Sequence, residues 1–304
     1  MSLQCRLPGG AGSLVLTLLR ENSLLTGKNT GNSRFEETRQ ILDRAPGQKM
    51  DHYQFHSAVY GQLGKSRELT KRAVDSALRA ESKENGAIWQ ANSALGQAAY
   101  GDSVEARQAA AKAVRLGPSS LGAETEAALA LAMAGDATRA ESLAQDLGKR
   151  FPLDTQMNSL WLPAIRAQLA LYREDPATAL NALQASSAIE LGDLLFEDNI
   201  SCLYTVYIRG TAYLAAGQGN LAAAEFEKIL DHSGIVWNCW TGALAHLGVA
   251  RANALEARTM HGANADAARV LALAAYADFL NLWKDADPDI PILKQAKAEY
   301  ATLK

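Results

Sequence analysis

His52 and His56 stand one helical turn apart in HYQFH. A helix can present two imidazoles at that spacing to one zinc ion, as HExxH enzymes do, but the glutamate is absent here and no third ligand is evident. Two histidines on a surface or groove-facing helix are the plainer reading. Asp285, Asp287 and Asp289 alternate as at the opening of a calcium loop. Ile290 occupies the place where that loop needs glycine, and Pro288 and Pro291 stiffen the run, so a turn with an aspartate capping a final helix is preferred. Cys5, Cys202 and Cys239 are far apart and form no CxxC pair. They make neither a zinc site nor a disulfide framework and fit a reducing compartment. Pro8, Gly9, Gly10 and Gly12 are followed by no GK[ST], so they are a loop rather than a phosphate cradle. No GxSxG elbow occurs, and His232, His246 and His261 read as polar residues at helix ends or in loops. No catalytic residue, metal or cofactor is therefore expected.

The elements that must carry any function are helices. The chain has 304 residues, 48% apolar but only 7% aromatic, with alanine dominating the apolar share. Such an Ala- and Leu-rich sequence, poor in β-branched residues and with most of its eight prolines in turns, reads as all-α. The net charge of -3 argues against a direct nucleic-acid binder. It is unevenly spread: residues 1–118 carry 16 basic and 11 acidic side chains, residues 119–304 carry 14 and 22. That asymmetry reads either as solvated faces or as a mildly acidic C-terminal groove favouring basic ligands. No apolar run approaches the length needed to cross a bilayer.

One stretch shows how the helices are arranged. In LYTVYIRGTAYLAAGQGNLAAAEFEKILDHSGIV, Val206, Gly210 and Tyr213 share a face of a first helix. Gly217 and Gly219 break it around Gln218, and Ala222, Phe226 and Ile229 share a face of a second. Gly210 and Ala222 allow close backbone approach, with Tyr213 and Phe226 beside them. This spacing resembles the tetratricopeptide repeat, a helix-turn-helix of about 34 residues. Ala128, Leu131, Gly135, Ala140, Ala144, Leu147 and Pro152 follow the same order, as do Ala94, Gly101, Ala106, Ala110, Ala113 and Pro118. Three weaker copies carry Tyr60, Gly64 and Ala73; Ala167, Ala170 and Ala179; and Leu244, Gly248, Ala275 and Phe279. The last copy carries roughly ten to fifteen extra residues, expected between its helices. Ser119-Ser120 and Asp154-Thr155 are candidate caps.

The ends are less regular. Residues 1–33 read as an irregular segment; the Leu14–Leu19 run lacks a clear signal-peptide cleavage site. FEETRQILDRA, Phe35 to Ala45, reads as a second helix without a preserved partner. Ile189 to Asn199 is an acidic connection outside the repeat pattern. The closing LWKDADPDIPILKQAKAEYATLK ends a repeat at Trp283 and starts a last helix near Ile290, with Ile292, Ala296, Tyr300 and Leu303 on one stripe. Together with KRFPLDT, AVDSALRAESKE, YLAAGQG and KILDHSGIV, this phrase resembles the helical-repeat region at the C-terminus of bacterial serine/threonine protein kinases of the acidobacterial type. The kinase motifs HRD and DFG are absent.

The expected architecture is an α-solenoid of about six tetratricopeptide-like hairpins over residues 34–288, with a capping helix at 289–304. In that family the first helices line a concave groove, which by resemblance would include Gln54, Trp161, Gln168, Tyr204, Tyr207, Thr211 and Asn253. The aromatics would supply rigid apolar area and the amides would bond a peptide backbone; each could instead pack between repeats. Trp89, Trp161, Trp237, Trp240 and Trp283 read as inter-repeat packing, with Trp237 or Trp240 a candidate exposed anchor. The expected function is a non-catalytic scaffold binding a protein or peptide, with no direct nucleic-acid contact and no membrane span. The alternative is a regulatory region working with a kinase or transcription regulator; an enzyme ranks third. The expected compartment is the cytoplasm, with the periplasm as the alternative.

Overall fold

The computed structural model describes residues 57–192, 195–196, 199–200, 202–236 and 238–304. The chain divides into two compact units, Met1–Lys49 and Met50–Lys304, and all described residues belong to the second. The expectations for residues 1–33 and Phe35–Ala45, and for Cys5, His52, Gln54, His56 and Trp237, fall outside the described residues.

The described unit is all-helical apart from a two-residue antiparallel pairing of Leu195–Phe196 with Asn199–Ile200. Its helices are α1 Leu63–Arg79, α2 Lys83–Ala99, α3 Ser103–Leu116, α4 Leu121–Met133, α5 Ala137–Arg150, α6 Leu162–Tyr172, α7 Pro176–Ala182, α8 Tyr204–Ala215, α9 Gly219–Asp231, the single turn α10 Ser233–Val236, α11 Trp240–Thr259, α12 Ala263–Leu282 and α13 Pro291–Leu303. A π-helical turn, Met157–Trp161, leads into α6. Pro163 accounts for it: the proline lacks an N–H and its ring crowds the preceding turn, so the backbone widens there.

Turn chemistry sets the boundaries. Gly61, Gly101, Gly135, Glu174 and Gly217 are all left-handed, with φ from +59° to +89°. At each, the N–H bonds back three residues and the next N–H bonds back five, as Asp102 does to Gln97 O and Asp136 to Leu131 O. This is the pattern by which a left-handed residue satisfies the last carbonyls of a helix. The following residue opens the second helix. Asp102, Asp136 and Asp175 each accept the N–H three residues on, so the same short sequence ends one helix and caps the next. Ser120 and Asp154 cap in the same way, as expected from sequence.

Packing follows chain order. Each of α2, α4, α6 and α8 touches the helix after it and also the first helix of the next pair. A helix enclosed on so many sides is mostly apolar or small; in α4 every residue from Gly122 to Ala132 is buried, Glu124, Thr125 and Glu126 being the polar exceptions. The second helices bury one stripe only, Ala140, Ala144 and Leu147 in α5 and Ala222, Phe226 and Ile229 in α9. Phe226 sits against two glycines. A Cβ on Gly210 would lie 2.8 Å from its ring and one on Gly248 2.5 Å, so these glycines accommodate the ring itself, not only a helix crossing.

Three expectations need correction. The extra residues of the last pair are not an insertion between its helices: α11 and α12 each run 20 residues, joined through Met260 to Gly262. Both extensions are Ala-rich and simply continue as helix. The aspartates before α13 do not cap it, since its N-cap is Ile290 without a side-chain bond. Asp287 reaches instead to the start of the unit, accepting from Gly64 N at 2.7 Å and donating its own N–H to Gly61 O. The final segment is therefore more than a cover for the last pair. Trp283 Nε1 donates to Val59 O at 2.8 Å, its ring meets Tyr100 edge-on at 4.9 Å, and Ile292 N bonds Tyr100 O. Residues 283–292 thus join α12 to the beginning of the same unit, while Leu293 and Ala296 of α13 face inward.

Candidate functional site

The inner faces of the first helices carry most of the residues expected to line a groove. Trp161 precedes α6, Tyr204 opens α8 and Trp240 opens α11, so consecutive pairs bring them together. Tyr204 and Trp240 stack at 5.5 Å, Trp161 tilts against Tyr204 at 5.7 Å, and Tyr207 meets Trp240 edge-on at 5.0 Å. Trp161 and Tyr204 are buried, and Gln168, Tyr207, Thr211 and Asn253 are half-buried. Thr211 donates to Tyr207 O and Asn253 to Val249 O, within their own helices. Trp240 is buried too, so it is no exposed anchor. The aromatics are packed together rather than displayed.

What remains between them is small. A cavity of about 20 Å3 lies where Ala58, Leu63, Asn92 and Gly96 face Cys202, Tyr204, Cys239 and Trp240, and another of about 10 Å3 lies beside Trp161, Glu190 and Thr205. Such spaces have room for about one water each. Burial pushes the Tyr204 phenol well up and Tyr207 up to about 12, so neither is a base at neutral pH. Glu126 on α4 is also buried; its carboxyl is pushed well up by burial, and its Oε2 has no hydrogen-bond partner.

Two features here were not expected from sequence. Cys202 and Cys239 form a disulfide, with Cα atoms 5.6 Å apart. The spacing of 37 residues conceals the pairing in a linear reading, yet each cysteine stands just before a first helix of adjacent pairs, α8 and α11. The packing of α8 against α11 brings these positions side by side, and their like placement before the two helices was the available signal. The second feature is a buried ion network. Arg209, in the middle of α8, donates to both oxygens of Glu190 at 2.9 and 2.5 Å and to Glu225 at 2.9 Å, with Lys228 beside them. Glu190 belongs to the acidic connection, which is thereby anchored to α8 and α9. An arginine in an otherwise apolar first helix was its sequence signal.

Open concavity lies elsewhere. A cleft of about 690 Å3 runs between α1 and α3, with α2 as its floor and Arg139 of α5 at one end. Among the described residues Arg67, Lys71, Arg107, Lys112, Arg115 and Arg139 line it, with Glu105 as the one lining carboxylate. Arg67 is held by Gln97 Oε1 at 2.6 Å and Asp102 at 2.5 Å, Arg107 by Ala134 O at 2.8 Å, and Arg139 by Asp136. Lys71, Lys112 and Arg115 are exposed and make no ion pair among the described residues. A second cleft, about 610 Å3, lies between α11, α12 and α13, but its main charges satisfy each other: Arg251 bonds both oxygens of Glu299, which also accepts from Tyr276. None of the six described residues expected in a groove lines either large cleft. The acidic excess of residues 119–304 gathers in neither.

Among the described residues no cluster of three or more His, Cys, Asp or Glu is placed to hold a metal, and no helix is long and apolar enough to cross a membrane. No family model, curated protein or solved structure matches the chain.

Proposed function

We propose that this chain is a non-catalytic binding scaffold, a tetratricopeptide-like α-solenoid that holds a protein or peptide partner. The observation that carries the reading is the recurrence of one turn, with the same backbone bonds, at Gly61, Gly101, Gly135, Glu174 and Gly217. Units that repeat in this way bury their cores against neighbours and leave extended surfaces for partners. The polar groups inside do not converge on a space large enough for a substrate, which favours binding over catalysis. Because the inner face is occupied by the chain's own aromatics, the partner surface in this reading is external. The Cys202–Cys239 bridge supports an oxidising compartment such as the periplasm rather than the cytoplasm.

Panning a random peptide display library over the immobilised full chain tests the reading. A related set of enriched sequences is expected; a pool that stays unrelated through successive rounds counts against it.

A further inference from the structure

We propose that the cleft between α1 and α3 is the docking site for an acidic segment of a partner protein; this rests on the scaffold reading above. The argument begins with charge. Among the described residues six cations line a concavity of about 690 Å3; Arg67 and Arg139 are paired with Asp102 and Asp136 at its edge, and Arg107, Lys71, Lys112 and Arg115 face the single further carboxylate Glu105, in a chain whose net charge is -3. Like charges gathered on facing helices repel one another in the empty state, and a concave wall focuses their field onto whatever enters. An anionic ligand relieves the repulsion as it binds.

Preorganisation supplies the second part. Arg67, Arg107 and Arg139 are fixed by Gln97 and Asp102, by Ala134 O and by Asp136, so their guanidinium groups lose little freedom when a carboxylate arrives. Lys71, Lys112 and Arg115 have no ion-pair partner among the described residues and supply unneutralised charge along the two walls.

The lining chemistry selects the class of anion. Gln90, Ser93 and Gln108 add amide and hydroxyl groups that can bond a peptide backbone. Among the described residues no aromatic side chain lines the cleft, whereas single-stranded nucleic acids are held by stacking on aromatics. Carboxylates spaced along a peptide fit this lining better than a phosphate backbone with bases. The contacts come from helices of successive hairpins, so the site is a product of stacking and not of any single motif.

The test uses the full chain with a fluorescein-labelled glutamate-rich peptide as probe, a lysine-rich peptide and a single-stranded oligonucleotide as competitors, and anisotropy as readout. The glutamate-rich probe is expected to bind, and to weaken as salt rises. Reversing Lys71→Glu, Lys112→Glu and Arg115→Glu together is expected to weaken it about tenfold or more, while Arg258→Glu at the other large cleft changes it by less than about twofold. All three positions are exposed, and circular dichroism checks the fold; should the triple reversal not fold, Lys71→Gln, Lys112→Gln and Arg115→Gln serves, with about a threefold loss expected. Absence of binding, or binding untouched by these variants, overturns the assignment. An oligonucleotide that displaces the peptide and binds more tightly overturns it in favour of nucleic acid. A display library that enriches peptides without acidic residues, whose binding the triple variant retains, overturns the acidic site and leaves the scaffold standing; a library that enriches nothing removes both.

Discussion

At the scale of single residues, the buried carboxylates of Glu190 and Glu126 behave oppositely because, among the described residues, Glu190 is held by cations and Glu126 is not. Burial works to raise the Glu190 carboxyl, but the hydrogen bonds and charge of Arg209, with Lys228 and Thr205, hold it below its usual value of 4.5. A lowered folded value stabilises above the unfolded one, so the Glu190 contribution is present above about pH 4.5 and is lost on acidification. Removing its partner leaves a buried charge exposed to no water. Arg209→Ala is expected to cost about 3–5 kcal/mol in urea denaturation, and replacing Glu190 and Glu225 by glutamine in the same chain is expected to recover much of it. Glu126 has the other sign. Its folded value is raised by burial, so the folded state holds a proton that the unfolded state releases, and stability falls as pH rises above 4.5. Glu126→Gln is therefore expected to be more stable than the parent at pH 7 by about 1 kcal/mol or more, with the difference closing toward pH 4; a pH series of melting temperatures reads this directly. Neither residue's role was legible in the sequence. A glutamate in AETEAALALAM looks like a solvated face until its neighbours on every side are known.

At the scale of elements, the sequence was read most directly at the turns. Gly101-Asp102 and Gly135-Asp136 announce both the end of one helix and the cap of the next, because left-handed backbone and side-chain capping are local requirements. Glu174-Asp175 is the instructive variant. Glu174 stands at φ +59°, as Glu81 does at φ +58°, where Gly61, Gly101, Gly135 and Gly217 occupy the equivalent positions. Glu174→Gly removes the steric cost of a left-handed side chain and is expected to raise stability by about 1 kcal/mol, seen as a higher melting temperature without change in the spectrum. The opposite change at a packed glycine has the opposite effect. Gly248→Ala drives a Cβ into the Phe226 ring and is expected to cost about 1–3 kcal/mol in the same assay. The sequence located the last hairpin but misplaced its extra residues, since period matching assumes a standard helix length, whereas helix propensity allowed α11 and α12 to lengthen together.

At the scale of the whole unit, long-range links decide what the repeats become. The disulfide spans 37 residues, and in the chain-entropy account a loop of that size contributes roughly 4 kcal/mol. Reductant, or Cys202→Ser with Cys239→Ser, is expected to lower the urea midpoint accordingly; an unchanged midpoint, or labelling of Cys202 and Cys239 by a thiol reagent in the native protein, would count against the bridge. By itself the sequence determined the helices and their capped turns, because helix propensity and turn chemistry act over a few residues. Only the tertiary structure decided that Trp161, Tyr204 and Trp240 fill the inside, that Cys202 meets Cys239, that Asp287 reaches Gly64, and that six cations gather beside α2. Each of these depends on the rotation between successive hairpins summed over many residues.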